Sequence, residues 1–137
     1  MVAVSSYILI FASVVVFGYN LSQVIENFGA LEEKLSVYRK VLLSYEEPLD
    51  KTRRLNAIEN VLMLLAYAIF AYLAGFAAWV LATIVLKFSF SCLISDKMHR
   101  LVLGEKLSVP RAFYILHKLD SLLNGLLCIF MLLAFVL

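Results

Sequence analysis

From Asn60 to Leu86 the chain carries no Asp, Glu, Lys or Arg, and the same holds from Met1 to Ile25 and after Asp120. This segregation of charge limits the fold more than any other feature of the sequence. A bilayer core about 30 Å thick takes roughly 20 apolar residues in helix. Backbone in hydrocarbon must pair its own polar groups, which leaves helices or closed barrels. The sequence has no alternation of the barrel type, so the three stretches predict helical spans at about 2–25, 61–86 and 121–137. The expectation is an all-α integral membrane protein, a single helical domain over 1–137, crossing a lipid bilayer three times. Charged residues make up 16% of the chain, against about a quarter in soluble domains. The first span has no positively charged segment before it and is read as a retained anchor.

A second pattern concerns what leaves the membrane. Leu21, Val24, Phe28, Leu31, Leu35, Tyr38, Leu42 and Tyr45 recur at alternating steps of three and four. Such spacing keeps one stripe facing a partner, as in left-handed helix pairs. The first helix is therefore expected to leave the bilayer without a break. Pro48 is placed as a first helical residue, followed by Asp50 in the dipole-favoured first turn. Together these predict an antiparallel, coiled-coil-like hairpin over about 26–60, with Leu31, Leu35, Tyr38, Leu42 and Tyr45 as its seam. The second helix carries two interleaved apolar stripes and is expected to run on to Leu103 with Gly104 as a left-handed cap. At 1.5 Å per residue it would be about 80 Å long, with 87–95 as the place where it could bend. A juxtamembrane segment, about 87–120, then leads through Pro110 into the last helix.

The formal charge of +2 gives no basis for a nucleic-acid partner. Lys and Arg divide six and six between segments 26–60 and 87–120, so the positive-inside rule leaves orientation open. The three assigned spans contain no Asp, Glu, Lys, Arg or His. Such groups mark proton relays and ion paths in helical membrane proteins, so their absence argues against ion-coupled transport and embedded acid–base chemistry. His99 and His117 fall outside the spans, beside Arg100 and Lys118, and read as interfacial side chains, not metal or haem ligands. Cys92 and Cys128 lack metal-ligand spacing and read as packed thiols. No catalytic residue, metal site or cofactor is expected.

The stretch AYLAGFAAWVLA (71–82) sets Ala71, Ala74, Gly75, Ala78 and Ala82 on a small-residue ridge, the surface by which membrane helices approach closely. Ser121, Asn124 and Gly125 offer a similar face on the last helix, with Asn124 expected to hydrogen-bond across a helix interface. The ridge could meet this chain's own helices or another chain. The leading expectation is a non-catalytic structural or accessory subunit whose partners are other membrane protein subunits or copies of itself. Span, protruding hairpin, span, span also resembles the layout of the YidC-type insertase superfamily. That resemblance implies a hydrophilic groove open to the cytosol, with Asn124, Thr83 and serines to line it. A homo-oligomeric pore, with Thr83, Ser121 and Asn124 facing a lumen, is the third reading.

Overall fold

The small residues at 71–78 end one helix and start another. In the computed structural model, which describes residues 2–45 and 49–136, Gly75 has φ +90. Its amide donates to the Tyr72 carbonyl at 3.0 Å, and the Phe76 amide donates to the Ala71 carbonyl at 3.2 Å. This pair of bonds is a Schellman stop, which needs a left-handed residue where Gly75 stands. The chain then turns through Ala77 into a new helix. Within the described residues the predicted long second helix is thus two helices, and the three expected spans are not matched: four helices are long and apolar enough to cross a membrane.

The described residues form five helices and no strand: α1 Val2–Ile25, α2 Phe28–Ser44, α3 Leu49–Leu73, α4 Ala78–Leu103 and α5 Arg111–Val136. Helices α1, α3, α4 and α5 are long and apolar enough to cross a membrane, consistent with a multi-pass membrane protein. The span expected at 121–137 is the second half of α5, which begins ten residues earlier, at Arg111. Gly104 has φ −64, so α4 ends in extended backbone and lacks the expected left-handed cap. Glu46, Glu47 and Pro48, the expected hairpin tip, lie outside the described residues.

The first helix also breaks. Asn27 adopts extended geometry, and its Oδ1 accepts from the Ala30 amide at 2.8 Å. An N-cap of this type satisfies one of the orphan donors of a new helix, so α2 starts at Phe28. The Tyr114 hydroxyl pins the break by donating to the Glu26 carbonyl at 3.0 Å. Helix α2 packs on α4 and α5, where the antiparallel hairpin would have set it against α3. Leu31 and Leu35 join Ile94, Val102, Val109 and Phe113 in one apolar cluster. Arg39 donates from Nη1 to the Val102 carbonyl at 3.3 Å and from Nη2 to the Glu105 carbonyl at 2.8 Å, holding the carbonyl-rich end of α4. Of the predicted seam, Leu31 and Leu35 are buried and Leu42 half-buried, whereas Tyr38 and Tyr45 are exposed.

Side-chain pairings set the directions of the spans. Gln23 meets Ser121 and Asn20 meets Asn124, so α1 and α5 are antiparallel. Arg53 meets Asp96 and Tyr67 meets Phe88, so α3 and α4 are antiparallel too. As a result the start of α1, the 74–77 turn and the end of α5 share one end of the bundle. That end carries no Asp, Glu, Lys or Arg. An apolar cluster of Leu9, Tyr67, Ala71, Val80, Ile84 and Met131 fills it. Segments 26–60 and 87–120, which the three-span reading put on opposite sides, meet at the other end. Every Lys and Arg lies there except Lys87, which sits inside the bundle.

Candidate functional site

The spans turn polar faces inward. On α1 the buried residues are Ser5, Leu9, Ser13, Asn20 and Gln23, while Tyr7, Phe11, Val15 and Tyr19 point outward. On α5 the buried face carries His117, Asp120, Ser121, Asn124 and Cys128. Lipid covers apolar side chains at no cost, so a helix in a bilayer keeps its polar groups for the interior, where they can be paired.

At the centre of these faces is an ion pair. Lys87 lies nine residues into α4, about 14 Å along the helix from Ala78 at 1.5 Å per residue. Its Nζ is paired with Asp120 Oδ1 and also donates to Asn124 Oδ1 at 2.8 Å and to Ser91 Oγ at 3.1 Å. Ser91 Oγ lies 2.9 Å from Asp120 Oδ1. Asn124 Nδ2 reaches Asn20 Oδ1 at 3.2 Å, and Asn20 in turn donates to the Val16 carbonyl at 2.7 Å. The network joins α1, α4 and α5. Helix α3 is tied in on either side of it: Asn60 Nδ2 donates to Ser95 Oγ at 3.0 Å, and Ser13 and Tyr67 share a hydrogen bond of 2.5 Å.

The network faces a cavity of about 270 Å³ lined by Asn20, Asn60, Ser91, His117, Asp120 and Asn124, among others. A second cavity, about 380 Å³, shares Tyr19, Gln23, Asn60, Ser95, Met98 and His117 with the first. It continues past His99 to Lys34 and Tyr38 at the charged end. Together they form a recess, mostly apolar in its walls and carrying these polar groups, that runs from the charged end to the ion pair, with the apolar cluster around Ile84 beyond it. Tyr19 and Met63 line the inner cavity and are also exposed on the outside of the bundle. The recess therefore also reaches the outer surface of the bundle, between α1 and α3.

Two side chains in the recess have unmet hydrogen-bonding capacity. His99 and His117 are 4% and 6% exposed. Neither nitrogen of His117, nor Nε2 of His99, has a partner. His117 stacks on Phe113, and Tyr38 meets His99 edge-on. Partial burial pushes the Tyr38 phenol above its ordinary value, and Glu59 adds to the effect. Near the mouth, Asp96 takes a two-point contact from Arg53, at 2.8 and 3.2 Å, and a further one from Arg100 at 2.9 Å. Among the described residues no group of three or more His, Cys, Asp or Glu side chains is placed to hold a metal. Both cysteines are free thiols.

The residues expected from sequence fare unequally. Ser121 and Asn124 enter the site, and Asn124 does bond across a helix interface. Gly125 faces α1, where a Cβ would stand 3.7 Å from the Phe17 ring. The ridge at 71–82 is divided. Ala71 is buried against this chain's own helices, Ala74 is half-buried, Gly75 forms the turn, and Ala78 and Ala82 are exposed on α4. Thr83 is exposed and bonds back to the Trp79 carbonyl at 2.9 Å, away from Asn124. Lys87, Asp120, Asn20, Gln23 and His117 are site residues that the sequence reading does not anticipate, and Ser91 is one of the serines it names only as a class. Lys87 lies within α4, a helix long and apolar enough to cross a membrane, where the reading from sequence ended a span at Leu86. Their signal is the four-residue beat of Lys87, Ser91 and Ser95, matched by Asp120 and Asn124.

Comparison with protein-family models, curated proteins and solved structures found no match to this chain.

Proposed function

We propose that the protein is a non-catalytic membrane-protein assembly factor, insertase-like in its action. Its recess receives polar side chains of an incoming transmembrane segment from the charged side. The observation that carries this reading is the shape of the recess. It holds a lysine–aspartate pair inside the bundle, opens to the charged end and reaches the outer surface between α1 and α3, yet ends at an apolar cluster. A polar group in hydrocarbon costs several kcal/mol when unpaired. A recess of this kind lowers that cost for a segment on its way into lipid, while its apolar end offers no continuous path for ions. The last point weighs against the pore reading.

Photocrosslinking side chains at Tyr19 and Met63 would test the proposal in native membranes. Adducts with newly made membrane proteins are expected there and not at Phe11 or Leu86, which point outward elsewhere. Adducts with lipid alone at all four positions would overturn it.

A second reading, a permanent accessory subunit, draws on α2. Val37, Val41 and Leu43 are exposed on this helix, and Tyr45 just after it, outside the helices long and apolar enough to span a membrane. A stoichiometric companion after mild detergent extraction, lost on Val41→Asp, would favour this reading over transient client contact.

A further inference from the structure

We propose that the recess is a lipid site. It takes the head of an uncharged lipid bearing two hydroxyls, of the acylglycerol kind, against His117 and His99, while the acyl chain leaves between α1 and α3. The inference needs no client protein and rests on three observations.

The first is what the two imidazoles lack. Neither nitrogen of His117, nor Nε2 of His99, has a hydrogen-bond partner, although more than nine-tenths of each residue is buried. Both rings line the outer cavity, and His117 lines the inner one as well. Buried polar groups in folded proteins nearly always have a partner, so each orphan calls for an occupant. A neutral imidazole has one nitrogen that donates and one that accepts. A carbonyl or carboxylate oxygen only accepts, and an ammonium only donates. A hydroxyl does both, and two hydroxyls on one head give each ring a partner.

The second observation is charge. Among the described residues the charged side chains lining the two cavities are Asp120 and Lys34. Each has its opposite beside it, Lys87 for the first and Glu26, at 3.6 Å, for the second. A charged head would therefore enter without a counter-charge, and a charge taken out of water unpaired is expensive. The head that fits is uncharged. Around it, Val16, Leu64, Tyr67 and Phe88 give the inner cavity an apolar wall, which suits the first methylenes of a chain and offers little to water.

The third is the way out. Tyr19 and Met63 line the inner cavity and are 59% and 68% exposed, so this cavity opens sideways between α1 and α3. The outer cavity lies nearer the charged end, at Lys34 and Tyr38. The order of the site is thus that of a lipid in one leaflet, head toward the charged end and chain toward the middle of the bundle. Small-ligand sites measure about 300–1,000 Å³. Cavities of about 380 and 270 Å³ stand at the lower end of that range, enough for a head and the start of a chain whose remainder stays outside.

The test uses the full chain in phosphatidylcholine vesicles, free of sugar-headed detergents, whose hydroxyls would compete. The probe is a 1-acylglycerol with a photoreactive diazirine in its acyl chain, and adducts are mapped by mass spectrometry after digestion. Adducts are expected at Tyr19 and Met63. They should fall at least tenfold with excess 1-oleoylglycerol, and not with the same excess of oleate or oleoyl-lysophosphatidylcholine. His117→Phe keeps a ring to stack on Phe113 and removes nitrogens that make no hydrogen bond within the chain. It should lower the competed labelling at least tenfold. Labelling as strong at Phe11 and Leu86, equal competition by all three lipids, or unchanged labelling in His117→Phe would overturn the proposal. The wild-type chain supplies a readout that needs no variant, because Cys92 lines the inner cavity and Cys128 does not. Modification of Cys92 by a small permeant thiol reagent should slow at least fivefold when 1-oleoylglycerol is added to the vesicles. An unchanged rate, as in a recess filled by water alone, or a Cys92 closed to the reagent without the lipid, would overturn the site.

Discussion

Lys87 of α4 and Asp120 of α5 neutralise each other inside the bundle, with 15% and 7% of their side chains exposed. Removing one partner of such a pair leaves an uncompensated buried charge and costs about 3–5 kcal/mol, whereas replacing both by apolar groups is often close to neutral. Lys87→Met is therefore expected to destabilise the fold strongly, and Lys87→Met with Asp120→Leu much less. Unfolding in mixed micelles with increasing denaturing detergent measures both. Equal loss in the single and double variants would show that the pair does not hold α4 to α5.

Orientation becomes predictable once the spans number four. Segments 26–60 and 87–120 lie on the same side, so the even division of Lys and Arg no longer cancels. Cytoplasmic loops carry the excess of Lys and Arg, so the charged end is expected to face the cytoplasm. Reporter insertions at residues 76 and 106 check this: the first should read as external and the second as cytoplasmic. The same compartment for both would contradict the four-span arrangement itself.

Gly75 sets the α3–α4 turn at φ +90. A Cβ there meets no atom within 4 Å, so the cost of a side chain is conformational and not steric. Left-handed backbone costs an L-residue roughly 1–2 kcal/mol, and a β-branched residue stands at the upper end. Gly75→Ala should lower stability by about 1 kcal/mol and Gly75→Val by more, in the same detergent titration. Gly18→Ala, another glycine with open space at its Cβ but in regular helix, should have little effect.

Arg39 fastens α2 to the last carbonyls of α4. Hydrogen bonds from charged donors contribute about 1.5–3 kcal/mol when well buried, and less at a partly exposed site such as this. Arg39→Ala should loosen α2 and leave the spans in place. The expected sign is faster hydrogen exchange across Phe28–Ser44 with unchanged exchange in α5. Uniform acceleration through the whole chain would contradict a local role.

Much of this architecture is legible in residue order, and the part that is not has one origin. Charge-free runs identify α1 and the apolar half of α5 directly. The rule that a charge ends a span, applied to Lys87, places that residue in water and fuses α3 with α4. A lysine paired with an aspartate on another helix obeys a different rule, because the pairing is tertiary and leaves no local trace. The glycine in AYLAGFAA carries two meanings, close helix approach and left-handed stop. Choosing between them needs the length of the next apolar run: from Ala78 to Leu103 there is enough apolar helix for a separate span. Asn27 is a legible cap, masked by the apolar beat that runs through it. The polar beat of α1, Ser5, Ser13, Asn20 and Gln23, marks the inward face of a helix whose outside is apolar.

The apolar cluster around Leu9, Ile84 and Met131 also makes the molecule electrically one-sided. Every Lys and Arg of the chain lies on one side of it, and on the other side the bundle has no charged side chain at all.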